Sequence, residues 1–193
     1  MSHPPIYRNK WPVYAAQWDA MEIKSSVVPK LASFVKRALA GKPQYLLVEH
    51  DTYVPWWMVA IIAERESDQD FSRSLAQGDR WDRRSTNEPI SGPFRSWHDA
   101  AVWSLHHEGM DAVKDWRLEK SMYYWEKDNG WGYYYHGQMP SPYIWGGTSI
   151  QRRGKYTSDG HWDPRHWDTQ LGCAAMLQAL MKADPTITVV RET

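Results

Sequence analysis

The chain has 193 residues, room for a single domain with a sizeable core. Its 23 Lys and Arg balance its 23 Asp and Glu, which excludes a protein working by global attraction to nucleic acid or anionic membrane. One Cys excludes an internal disulfide and any multi-cysteine metal site, and no apolar run approaches the ~18 residues of a membrane span.

In chain order, Trp11, Ala15, Trp18 and Met21 recur at helical spacing and predict a helix over 11–24, with Pro12 in its first turn. A second helix over 27–40 carries Val28, Leu31, Ala32, Val35 and Leu39 on one stripe, and Gly41-Lys42-Pro43 is expected to end it. The third begins near Pro55 and runs to about Ser67. It is apolar almost all round and is therefore expected to be the central buried helix. Residues 68–93 turn polar through Gln77-Gly78-Asp79, Asn87-Glu88-Pro89 and Ser91-Gly92-Pro93, as a short hairpin or an irregular loop excursion would. Helices are expected again at 96–108, 116–128 and 164–183, with a long aromatic-glycine segment at 129–163. The sum is an α+β, mainly α domain over 1–193, with 1–45 as a helical part packed on the rest. The N-terminus shows no charged-then-apolar export pattern, so synthesis in the cytoplasm is expected.

Thirteen Trp and eleven Tyr stand against three Phe. Buried Trp and Tyr need hydrogen-bond partners, so a core alone would use more Phe, whereas flat rings with a polar handle suit sugar rings, exposed bases or a membrane interface. The basic stretches Arg80-Trp81-Asp82-Arg83-Arg84 and Gln151-Arg152-Arg153-Gly154-Lys155 fit nucleic acid or wall peptide carboxylates, and solvated loops equally. The histidine groups His106-His107-Glu108 and His161-Trp162-Asp163 with His166 match no zinc-peptidase spacing, and neither metal nor other cofactor is expected. Cys173, among Leu171, Ala174 and Ala175, reads as a buried hydrophobe.

The apolar helix ends Ala63-Glu64-Arg65-Glu66-Ser67. Desolvation and the helix dipole would raise a carboxyl pKa there, as a general acid requires. An ion pair with Arg65 is the structural alternative, and helical phase does not choose between Glu64 and Glu66.

Arg65-Glu66-Ser67 resembles the catalytic segment of goose-type lysozymes and soluble lytic transglycosylases, and Gly78-Asp79 follows Glu66 at the goose-type interval. The segments 123–133, 140–148 and 153–156 resemble phage endolysins and prophage lysozyme-like proteins, as do Tyr7, Trp11-Pro12 and Tyr14–Trp18. One departure is Asp128, where the transglycosylase pattern has Tyr before Asn129; that tyrosine's role would pass to Tyr124, Tyr133 or Tyr134. The resemblance implies a lysozyme-like fold and a muramidase cleaving the β-1,4 bond between N-acetylmuramic acid and N-acetylglucosamine. Glu66 would be the acid and Asp79 would orient water, with Asp68, Asp70 and Asp82 as nearby competitors for that second role. Ser67, Asn129, Trp131, Tyr133, Tyr143 and Trp145 would bind substrate. It further implies a monomeric, bacteriolytic phage or prophage protein that acts on peptidoglycan in the periplasm after release by a partner such as a holin, without membrane insertion or nucleic acid. The alternatives are a lytic transglycosylase forming 1,6-anhydromuramic acid and a non-catalytic glycan-binding module.

Overall fold

A computed structural model describes residues 3–137, 140–158 and 161–193. Helix dominates, at 51% against 6% strand, so the class is α+β and mainly α. The elements are α1 (Tyr7–Ala20), α2 (Val28–Thr52), α3 (Trp56–Ser67), α4 (Trp97–His107), α5 (Leu118–Asp128), α6 (Gly132–Tyr135), α7 (Pro142–Trp145), β1 (Lys155–Ser158), β2 (His161–Asp163) and α8 (Cys173–Ala183). They form two compact units, one of Met1–Ser33 with Arg117–Thr193 and one of Phe34–Trp116. No helix among the described residues is long and apolar enough to cross a membrane.

In the second unit α3 is the central buried helix that its composition predicts, with every residue from Trp56 to Ala63 at 0–6% exposure. Polar Glu64, Arg65 and Glu66 follow and are only half-buried. The chain then leaves the helix through two left-handed residues, Asp68 (φ 51°) and Gln69 (φ 61°). The Gln69 N–H donates to the Ala63 carbonyl at 3.0 Å, closing the helix end as a Schellman motif does, without glycine.

Gly41-Lys42-Pro43 does not end α2, which runs on to Thr52. Its buried stripe explains why. Phe34, Ala38, Gly41, Tyr45, Val48 and Thr52 recur at alternating intervals of four and three, and all are buried. Pro43 sits on the opposite, exposed face, where the Leu39 carbonyl that loses its partner can take water instead. Gly41 is small for a packing reason, because a Cβ there would lie 2.9 Å from ring atoms of both Phe71 and Tyr45. Both rings pack edge-to-face on Trp97 of α4 and are tilted at 30° to each other. The helix α4 starts where Ser96 accepts a cap bond from the Asp99 N–H at 3.1 Å.

Residues 68–93 form an irregular excursion. Its regular pairing is one bridge, Arg73 to Arg80. The two-stranded antiparallel sheet lies instead at β1 and β2 in the first unit, with Tyr156 opposite Trp162. There α1 packs on α5, and the chain end is held by Glu119, which accepts from Arg191 Nε at 2.6 Å and the Glu192 N–H at 2.9 Å. α1 starts at Tyr7, so Pro12 lies inside it, and its buried residues are Lys10 and Tyr14. α8 starts at Cys173, not 164, because Asp168 caps a turn at Gln170 and Gly172 precedes the helix.

Replacing a helical Gly by Ala ordinarily stabilises by about 1 kcal/mol. Gly41→Ala should do the reverse and lower stability by roughly 1–3 kcal/mol through overpacking against Phe71 and Tyr45. Urea unfolding measures the sign directly.

Candidate functional site

The end of α3 and the excursion are joined at one point. Gly78, at φ 69°, approaches the Glu66 carbonyl so closely that a Cβ on Gly78 would lie 2.4 Å from that oxygen. Its N–H donates to the Ser74 carbonyl at 3.2 Å and its own carbonyl accepts from Arg73 Nη1 at 2.8 Å. The Ser74 N–H donates to the Asp79 carbonyl at 2.7 Å. Asp79 therefore stands one Cα step, about 3.8 Å, from a glycine in contact with the Glu66 backbone. That brings the backbones of Glu66 and Asp79, thirteen residues apart in sequence, to one corner.

The two acids of α3 have different surroundings. Glu64 takes both carboxylate oxygens to Arg37 Nη2 at 2.7 Å and accepts from Gln69 Nε2 at 2.8 Å. Its partner is Arg37 of α2, not the adjacent Arg65 of the sequence expectation. It holds α2 to α3 and closes the left-handed exit. Ser67, expected to meet substrate, is buried and donates its hydroxyl to the Ala63 carbonyl at 3.0 Å.

Asp79 accepts from the Thr86 N–H at 3.0 Å and the Asn87 N–H at 3.2 Å through Oδ2, and from Asn87 Nδ2 at 3.0 Å through Oδ1. Partial burial pushes its carboxyl up, but these N–H bonds outweigh that and hold it below the usual carboxylate range. Asp70 and Asp82 are instead engaged by arginines, Asp70 by Arg73 and Asp82 by Arg80 and Arg83. Asp70 also accepts from the Ser72 N–H at 2.9 Å, so among Asp70, Asp79 and Asp82 it is Asp79 whose described partners are all neutral N–H donors.

The remaining expected residues belong to the first unit. Asn129 caps the end of α5, its N–H on the Trp125 carbonyl at 3.1 Å. Trp131, Tyr133, Tyr143 and Trp145 are 0–6% exposed. Trp131 packs edge-on to Tyr123, Tyr133 to Tyr156 and Trp162, and the Tyr143 hydroxyl donates to Asp128 at 3.2 Å. These four rings thus offer no open face for a sugar to stack on, and the exposed rings of this segment are Tyr134 and Tyr135. Among the described residues no three His, Cys, Asp or Glu side chains converge as metal ligands would.

Sequence periodicity missed Glu126, which is 1% exposed on α5. Neither carboxylate oxygen has a partner in good hydrogen-bond geometry, nor does the buried Tyr14 hydroxyl. Burial pushes the Glu126 carboxyl up to about 7, against smaller downward effects of the Ser141 hydroxyl and the Lys10 ammonium. Glu126 in turn helps burial raise the Tyr14 hydroxyl, and burial lowers the Lys10 ammonium.

No protein-family model, curated protein or solved structure matches this chain.

Two outcomes follow from this geometry. Gly78→Ala should cost about 2 kcal/mol or more, since it strains a left-handed residue and drives a methyl into a backbone carbonyl. Thermal unfolding checks it, with Gly109→Ala as control for positive φ alone, because nothing lies near a Cβ at Gly109. The second concerns pH. The folded pKa of Glu126 is raised, so its favourable contribution is complete below about 4.5 and is lost as pH rises through about 7. Urea unfolding from pH 4.5 to 8 should show a decline on the order of 3 kcal/mol from this group, and Glu126→Gln should flatten it.

Proposed function

We propose that this chain is a peptidoglycan hydrolase of the muramidase type, with Glu66 as the general acid and Asp79 as the residue that orients the attacking water. The observation that carries the reading is the seating of Gly78 on the Glu66 carbonyl, which ties the Gly-Asp pair to the end of the buried helix. Two consecutive non-glycine residues in left-handed conformation directly after Ser67 add support, since backbone strain of this kind concentrates at functional sites.

Glu66 would give its proton to the glycosidic oxygen as the bond to the anomeric carbon breaks. Water would add to that carbon from the other ring face, its proton passing to a carboxylate. Asp79, ionised across the neutral range, accepts hydrogen bonds only. Its low pKa makes it a weak base, so holding the water by its lone pairs is its main contribution. Phage or prophage origin, release through a membrane-pore partner and action in the periplasm belong to the same proposal.

Digestion of purified sacculi followed by mass spectrometry tests it. Reducing-end muramic acid is the expected product. Predominant 1,6-anhydromuramic acid would make the chain a lytic transglycosylase, and no product would leave a glycan-binding module. Glu66→Gln should lower the rate by ~10²–10⁴-fold with the melting temperature unchanged, and Glu64→Gln should instead lose stability through Arg37. Asp79→Asn should cut the rate by ~10²-fold. It also removes an acceptor from the Thr86–Asn87 turn, so its melting temperature is measured alongside. A rate loss fully accounted for by unfolding would remove Asp79 from the chemistry.

A further inference from the structure

The second unit carries an open pocket of about 440 Å³ whose lining includes neither Glu66 nor Asp79. That volume is in the range of small-molecule sites, roughly 300–1,000 Å³. Phe94, Val102 and Trp103 make its apolar floor, and Asp51, His98 and Asp99 part of its rim. The Phe94 and Trp103 rings are 5.6 Å apart and inclined at 49°, so they form an open angle instead of a closed stack. His107, outside the lining, lies flat against Trp103 at 4.9 Å and 12°, which fixes the plane of the indole.

The rim groups are paired with one another. His98 reaches Asp51 at 3.1 Å and Asp99 at 3.8 Å through its two ring nitrogens, and Arg95 pairs with Asp99 at 2.9 Å. His106 Nδ1 lies 2.7 Å from Asp111, which leaves Nε2 toward solvent as a further polar atom of the rim. Each carboxylate keeps lone pairs beyond those already used. The rim therefore presents acceptors in pairs beside one guanidinium donor, over a flat apolar floor. Its single arginine already serves Asp99, so a phosphate would find no free cation there. A purely apolar ligand would strip water from the carboxylates without replacing it.

We propose that this pocket is a saccharide-binding site, taking a neutral pyranose ring of a glycan against Trp103 and Phe94 with its hydroxyls on Asp51, Asp99 and His106. Sugars present an apolar face of C–H groups to an aromatic ring and hydroxyl donors at the edge, which is the division this pocket shows. The choice of an N-acetylated sugar as probe rests on the wall-glycan reading above. The pocket itself lies outside the proposed reaction centre.

The test is a titration of the full chain with the β-1,4-linked trimer of N-acetylglucosamine, followed through the indole N–H resonances. The Trp103 signal is identified by its loss in Trp103→Phe. It should shift saturably in the native chain and in Glu66→Gln alike. Calorimetry should show Trp103→Ala weakening this binding roughly tenfold, the worth of a stacked ring plus lost burial, and Asp51→Asn weakening it with no change in melting temperature. If Trp103→Ala unfolds, Asp51→Asn and Trp103→Phe decide. An unmoved Trp103 signal, or one that answers equally to inorganic phosphate or to 1,5-diaminopentane, overturns the proposal. Failure to release muropeptides from sacculi would remove the muramidase reading and leave a saccharide-dependent Trp103 shift standing.

Discussion

The contact between the Gly78 backbone and the Glu66 carbonyl is the constraint on which the candidate reaction centre depends. A helix buried along its length can end in carboxylates only if something outside the core defines where they stand. Here the excursion folds back, two backbone bonds joining Ser74, Gly78 and Asp79 close its turn, and Gly78 lies against the carbonyl of the helix exit. The Arg37–Glu64–Gln69 bonds keep the other acid out of that corner. Two acids two residues apart thus differ in setting, Glu64 joining helices through its carboxylate and Glu66 meeting Gly78 through its backbone carbonyl.

Much of this was legible in the chain. The central helix followed from an unbroken apolar run, and the polar excursion from its turn residues. α4 and α5 fell within two residues of their expected ends. The errors have physical causes. Pro43 reads locally as a helix end, but its face of α2 is solvated and the stripe through Gly41, Tyr45 and Val48 continues underneath. α1 was read from apolar spacing, yet the residues it buries most deeply are Lys10 and Tyr14, beside an acid on α5. Hydrophobic periodicity has no term for a helix that docks through a lysine and a tyrosine.

The aromatic-glycine segment gives a related lesson. Rings flanked by Gly and Pro look presented, but in the first unit those glycines let backbones approach. The Gly146 carbonyl accepts from the Gly172 N–H at 2.9 Å, immediately after a fully buried Trp145. The rings better placed to meet ligand are inconspicuous in sequence. Trp103 occupies an ordinary helical position, and Phe94 follows a Gly-Pro turn. Their joint surface arises from folding 94 toward α4, which no local pattern encodes.

Glu126 carries the structure into proton thermodynamics. In the unfolded chain this carboxyl is ionised at neutral pH, whereas burial in the folded unit favours its protonated form. Folding therefore draws protons from the solution, and unfolding returns them to whatever buffer is present. The calorimetric heat of unfolding at pH 7 must then differ between phosphate and an amine buffer by their heats of protonation, although both report the same contacts broken. The slope of that heat against the buffer's own protonation enthalpy counts the protons taken up on burial.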